Sequence, residues 1–215
     1  MAVAFTRRHA LQLGGVVLGG WAIGQAALRL SPIGRYVGPN TTAAAILAGG
    51  NAPVYGPADA NLRLAVFSDY RCPACRHAFP ALEAAVRADG GVTMIYKDWP
   101  IFGAPSERAA AIALASAEQG IYPEVHRRLM TDGRPMDDDL LRETVSGAGG
   151  DWPRATAYVA AHQADITAQL RRNGLDAAGI GLTGTPGYLA GQILVMGAID
   201  TGDFARLFAR ARAIA

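Results

Sequence analysis

The chain has two cysteines, Cys72 and Cys75, separated by Pro73-Ala74. Before them lies a short apolar run, Leu62 to Ser68, that reads as a buried strand, and from Pro73 onward the pattern reads as a helix. A Cys-x-x-Cys pair where a strand hands over to a helix points to thiol–disulfide chemistry. The unpaired N–H groups and aligned dipoles of a helix N-terminus, equivalent to roughly +0.5 charge, favour a thiolate on the first cysteine. Pro73 suits the first helical position because its φ is fixed and it has no N–H to leave unpaired. The second cysteine falls one turn later, within reach of the first.

Other uses of the pair fit less well. A structural zinc site takes about four ligands, yet no third cysteine exists and His9, His77, His126 and His162 are scattered. Haem attachment needs a histidine directly after the second cysteine, where Arg76 stands. A purely structural disulfide would close a tiny loop and gain little.

A chain of 215 residues, 51% hydrophobic, can bury a core without disulfide support. Lys97 is its one lysine, and the arginines are spread out. No basic cluster or aromatic ladder suggests nucleic acid. No cofactor and no metal is expected.

The N-terminus differs from the rest. Thr6-Arg7-Arg8-His9-Ala10-Leu11 leads into nineteen uncharged residues, Ala10 to Leu28. A basic start followed by an apolar stretch matches an export signal, and the paired arginines match a twin-arginine signal. Residues 1–30 are expected to be that signal or a retained membrane anchor, since such a stretch just spans ~30 Å of hydrocarbon. Either way the domain is expected in the periplasm or another extracytoplasmic space, where disulfides persist.

Residues 31–59 carry Pro32, Pro39, Pro53 and Pro57 and read as a linker with a short helix over Thr41 to Leu47. The folded domain is expected over 60–215. Its first helix places Phe79, Leu82 and Val86 on one face, contains Pro80 and stops at Asp89-Gly90-Gly91. Val92 to Lys97 reads as a second strand, parallel to the first by way of the intervening helix. A helical block follows: Ser106 to Gln119, Pro123 to Met130, a segment capped by Asp137-Asp138-Asp139, and a long helix from Asp151 to Asn173-Gly174. Gly187 to Ala190 and Ile193 to Met196 flank Gly191-Gln192, a type II′ hairpin pattern, before a final helix carrying Phe204, Leu207, Phe208 and Ala211. The order predicts an α/β, thioredoxin-like fold with a helical insertion at about 104–180 between its βαβ and ββα halves.

Three stretches resemble the DsbA-like thiol–disulfide oxidoreductases of bacterial envelopes. They are Phe67 to Arg76 around the cysteines, Tyr96-Lys97-Asp98-Trp99-Pro100, and Gly184-Thr185-Pro186. The resemblance implies a protein-disulfide oxidoreductase, with Cys72 as the exposed nucleophile and Cys75 as the resolving thiol. It also implies that Thr185-Pro186 is a cis-proline loop facing the disulfide, where the Thr185 backbone pairs with a bound substrate strand. Implied partners are cysteine-containing exported polypeptides and a membrane or envelope redox protein that resets the pair. Isomerases of this kind act as dimers, and the helix at Thr41 to Leu47 is a candidate for self-association.

The chain departs from that pattern at two positions. Many relatives carry a glutamate six residues before the first cysteine, where this chain has Val66; Asp69 is the substitute proton acceptor, though it also reads as a solvated turn residue. Strongly oxidising relatives carry a histidine where Ala74 stands, so reduced Cys72 lacks one donor, a loss that positive charge at Arg71, Arg76 and His77 offsets in part. The expected reduction potential is roughly −130 to −230 mV. His126 is expected to be a packing and hydrogen-bonding residue, His162 a satisfied histidine at the core edge, and Asp137 to Asp139 a cap. A second reading, a dithiolate site for a soft ion such as Cu(I), uses the same two sulfurs without the methionine or cysteine clusters that would support it.

Overall fold

The computed structural model describes Gly20 and residues 31–214. The export signal or anchor expected over 1–30 lies, Gly20 apart, outside the described residues. Among the described residues no helix is long and apolar enough to cross a membrane.

The strands are β1 (Arg35–Tyr36), β2 (Val54–Tyr55), β3 (Leu62–Ser68), β4 (Val92–Asp98), β5 (Gly187–Ala190) and β6 (Ile193–Met196). They form one sheet in the order β1-β6-β5-β3-β4-β2. β3 and β4 are parallel; every other neighbouring pair is antiparallel. The described helices are α1 (Thr41–Ala48), α2 (Pro73–Asp89), α3 (Ala104–Ser116), α4 (Tyr122–Thr131), α5 (Asp138–Gly147), α6 (Trp152–Ala161), α7 (Gln163–Gly179) and α8 (Thr201–Ile214). The α/β thioredoxin-like architecture with its helical insertion is therefore present, the insertion running from α3 to α7.

β3 is central, and Leu64, Ala65, Val66 and Phe67 are each 3% exposed or less. A strand covered on both faces has to be apolar throughout, which explains the unbroken run. Its register sets Val66 beside Tyr96 on one side and Tyr188 on the other, and Ser68 beside Asp98. Side chains alternate along a strand, so Val66, Tyr96 and Asp98 share one face while Phe67 and Lys97 share the opposite one. The first face meets α2 and α8, with Phe204 edge-on to Tyr188 at 4.8 Å between ring centres. The second meets α1 and α7, through Ala43, Ile46, Ala177 and Ile180. There the Lys97 ammonium pairs with Asp176 of α7 at 3.0 Å.

Five expectations change. The boundary at residue 60 moves back to about Gly34, because β1 pairs with β6, β2 pairs with β4, and α1 packs on the sheet. Two-residue strands are too short to show an alternating pattern, so prolines dominated the reading of 31–59 as a linker. The same packing buries Ala43 and Ile46 within the subunit, so the apolar side of the Thr41–Leu47 helix serves its own core. The long helix expected from Asp151 is two helices broken at His162, whose φ of −118° and ψ of 23° leave the helical region. His162 is exposed and stacks on Tyr158 at 4.1 Å, outside the core edge. The second helix passes through Asn173-Gly174 instead of stopping there. Gly174 lets the Trp99 ring approach so closely that a Cβ would sit 3.0 Å from Nε1, and Asn173 donates to the Asp98 carbonyl at 2.8 Å.

Local signals elsewhere hold. Asp137 and Asp151 cap α5 and α6, accepting from Leu140 and Arg154 backbone N–H groups. Gly191 has φ of +53° while among the described residues no non-glycine residue has positive φ, which excludes type I′ for the hairpin and fits type II′.

Candidate active site

Both cysteines are free thiols where β3 gives way to α2. Cys72 is the N-cap of that helix and Pro73 its first residue. The Cys72 sulfur accepts from the Cys75 backbone N–H at 3.3 Å, the bond a capping serine or aspartate would make. As a thiol it also donates to the Thr185 carbonyl at 3.4 Å, so a loop 113 residues later in the chain closes over it. The Thr185–Pro186 peptide is cis. Thr185 Oγ1 is buried there and makes no hydrogen bond in this arrangement, which leaves its hydroxyl free to turn toward the sulfur once that is ionised.

The two thiols are driven apart in acidity. The Cys75 thiol, donating to Cys72, does most to lower the Cys72 pKa, to about 6; burial opposes it, and the Thr185 hydroxyl and the backbone N–H groups of Cys75 and Ala74 assist. Cys75 moves strongly the other way, because its proton is held by Cys72 and because it is buried. At neutral pH the pair is one thiolate and one thiol.

The expectation of an exposed Cys72 needs correction: the residue is 3% exposed, like Cys75. The cause is the cap itself, which turns the sulfur back over the first helical turn and under the Thr185 carbonyl. Its sequence neighbours Arg71 and Pro73 are exposed, so the sulfur is recessed just beneath the surface.

The supporting residues divide. Ala74 is half-buried against the core. Arg71 directs its guanidinium to the Phe102 carbonyl at 2.8 Å, and the charge of Arg76 acts on Asp132. His77 is exposed beside Pro80, Ile199 and Asp200. The thiolate is thus favoured by hydrogen bonds from the cap and from Cys75, not by these side-chain charges.

Asp69 is neither a solvated turn residue nor a spare base. It is 1% exposed, and its two oxygens accept from the backbone N–H groups of Arg71, Ile101 and Phe102 and from the Ser106 hydroxyl, at 2.6–3.0 Å. It staples the loop after β4 to the turn that presents Cys72, leaving Ile101 and Phe102 each 44% exposed beside the site.

A buried polar cluster behind the cysteines escaped the sequence reading. Tyr70, two residues before Cys72, meets His126 Nδ1 at 2.9 Å; Tyr122 donates to Asp98 at 3.0 Å and lies 3.5 Å from both Tyr70 and His126. Burial lowers the His126 pKa to about 3 and raises that of Asp98 to about 7. His126 is a packing and hydrogen-bonding residue, as expected. Tyr70 and Asp98 lie in two of the stretches that resemble the DsbA-like family, yet sequence spacing does not reveal that they meet α4. Among the described residues no group of three or more His, Cys, Asp or Glu side chains is placed to hold a metal ion.

Known proteins resemble this chain. The family described as DSBA-like thioredoxin domain matches residues 63–209. A thioredoxin-like oxidoreductase from Silicibacter pomeroyi is 30% identical over 82% of this chain and 99% of its own, with a TM-score of 0.75. A periplasmic thioredoxin-like protein from Salmonella enterica serovar Typhimurium is 26% identical over 81% and 98%, with a TM-score of 0.70. The thiol-disulfide exchange protein alpha-DsbA2 from Wolbachia pipientis, 22% identical over 81% and 96% with a TM-score of 0.72, shares the fold. No curated protein matches the chain. With the cysteine pair at a helix cap, the cis-proline loop against it and the family match spanning most of the domain, the chain belongs to the DSBA-like thioredoxin domain family.

Proposed function

We propose that the protein is an exported thiol–disulfide oxidoreductase, an oxidase or isomerase of secreted polypeptides, working through Cys72-Pro73-Ala74-Cys75. The observation that carries this reading is the geometry of two sulfurs at one helix cap, the first accepting from the Cys75 backbone N–H and facing the carbonyl of a cis-proline loop, an arrangement that splits their acidity. A substrate thiolate attacks Cys72 Sγ, breaks the Cys72–Cys75 disulfide and forms a mixed disulfide. A second substrate thiolate then attacks the substrate sulfur of that bond, forms the substrate disulfide and expels Cys72 as a thiolate. A leaving thiol of low pKa departs faster, so the acidity of Cys72 favours this direction. Thr185 and Pro186 border the sulfur, and an extended substrate segment pairs with the Thr185 backbone. Net turnover needs an envelope or membrane partner that restores the disulfide.

Oxidised protein mixed with a reduced two-cysteine peptide is expected to yield oxidised peptide in stoichiometric amount. Cys72→Ser is expected to yield none, and Cys75→Ser, given the oxidised peptide instead, to hold it as a mixed disulfide on Cys72, one peptide thiolate leaving as the new bond forms. Peptide oxidation by the Cys72→Ser protein at the wild-type rate would overturn the assignment. A scrambled-disulfide substrate separates isomerase from oxidase. Export is supported by the arginine pair and by the periplasmic relative. Fractionating cells that carry Arg7→Lys with Arg8→Lys tests it, and unchanged export would rule out the twin-arginine route.

A further inference from the structure

The disulfide exchange proposed above leaves a proton to be placed. When a substrate dithiol reduces the Cys72–Cys75 disulfide, two electrons pass to the enzyme, the substrate S–S bond forms and the enzyme S–S bond breaks. The substrate gives up two protons; Cys75 takes one, Cys72 remains a thiolate, and one proton is left over. Reduction therefore puts a negative charge into a largely buried site.

Asp98 is the buried acid placed to answer that charge. It is 1% exposed, and its Oδ1 is buried with no hydrogen-bond partner, while Oδ2 accepts from Tyr122. By strand alternation it lies on the sheet face that α2 covers, one strand over and one pleat beyond Val66. The groups around it are named easily. α4 contributes Tyr122 and His126, the turn before α2 contributes Asp69 and Tyr70, and its own strand contributes Tyr96. α7 contributes Asn173, which bonds the Asp98 backbone, and Lys97 points to the other face, toward Asp176. Among the described residues no cation pairs with Asp98. The Tyr122 hydroxyl, bonded to Asp98 at 3.0 Å and 3.5 Å from the Tyr70 hydroxyl, links it to Tyr70, which packs in one buried cluster with Cys72 and Cys75.

A carboxyl kept in an apolar core without a cation resists ionisation. Here that resistance brings its midpoint to about pH 7, where a nearby charge decides whether the proton is held. We propose that Asp98 is a positioning residue that takes up the leftover proton when the disulfide is reduced and releases it when the disulfide re-forms. The uptake offsets part of the negative charge that reduction brings into the core. The proposal rests on the exchange reading of Cys72 and Cys75.

The test is the titration of the Asp98 carboxyl, by 13C NMR on the full-length protein in its disulfide and dithiol forms. The midpoint is expected to be higher in the dithiol form by about half a unit or more, a threefold change in acidity. Linkage requires the glutathione equilibrium to show the same coupling, as a bend near pH 7 in potential against pH that Asp98→Asn removes. A structural role alone would shift the potential without altering that bend. Identical carboxyl midpoints in the two forms would overturn the proposal. Failure of the exchange reading is seen separately, as a wild-type protein that does not oxidise the peptide, and leaves the comparison of midpoints measurable.

Discussion

Removing the Cys75 sulfur should make Cys72 a weaker acid, because the Cys75 thiol is the largest of the groups that lower its pKa. The wild-type value of about 6 compares with 9.0 for an unperturbed cysteine on the same scale. At pH 7 those values correspond to roughly nine-tenths thiolate and roughly one-hundredth. Cys75→Ala leaves the Cys75 and Ala74 backbone donors and the Thr185 hydroxyl in place, so the midpoint should rise by at least about one unit without reaching the free value. The thiolate fraction at pH 7 then falls to about half or less. Cys75→Ser returns a hydroxyl donor and should recover part of the shift. The assay is the pH dependence of Cys72 alkylation by iodoacetamide, read as a midpoint and not as a rate. A thiolate of higher pKa is intrinsically more nucleophilic, so rates alone would hide the effect. The sign for stability follows. The folded pKa lies below the unfolded one, so the contribution to the reduced form is fully present above about pH 9 and is lost as pH falls through about 6. If Cys75→Ala titrated within about 0.3 units of wild type, the hydrogen bond between the sulfurs would not be the source of the acidity, and the helix terminus alone would be.

Other consequences can be checked directly. Between about pH 4 and 6.5, Asp98 (folded value about 7, ordinary value 3.8) loses stability as pH rises, while His126 (folded value about 3, ordinary value 6.5) gains it. Their slopes cancel in the wild type, so Asp98→Asn should add a rise of up to ~1.4 kcal/mol per pH unit, seen by urea unfolding; an unchanged slope would contradict this. Asp69→Asn sets amide hydrogens against donors from Ile101, Phe102, Arg71 or Ser106, and should cost about 2–3 kcal/mol in the same assay; a cost under about 0.5 kcal/mol would remove its role as a staple. The reduction potential should fall between roughly −130 and −230 mV in a glutathione equilibrium, and a value near −270 mV would mark the protein as a reductant.

Much of the site was legible in the chain because its parts are local. Cys-Pro-Ala-Cys after an apolar strand carries its own cap, its own proline and its own helix. Gly184-Thr185-Pro186 was tied to it by resemblance. Burial was not legible. Val66 announced that relatives' glutamate is missing, but no spacing rule links Asp98 to Tyr122 and Tyr70, which lie 24 and 28 residues from it in opposite directions along the chain. Asp69 read as solvated because an aspartate before a turn usually is. Only the return of the chain after β4 supplies the donors that make its burial tolerable.

The order of elements, the redox pair and the breaks at glycine and proline follow from residues adjacent in sequence, since caps, periodicity and turn conformations are set within a few residues. Tertiary packing decided how deep the sulfurs lie, which of their neighbours control their acidity, and that the Asp98 carboxyl stands behind them without a cation. Those properties depend on desolvation and on contacts between distant segments, and they arise when the insertion closes over the sheet.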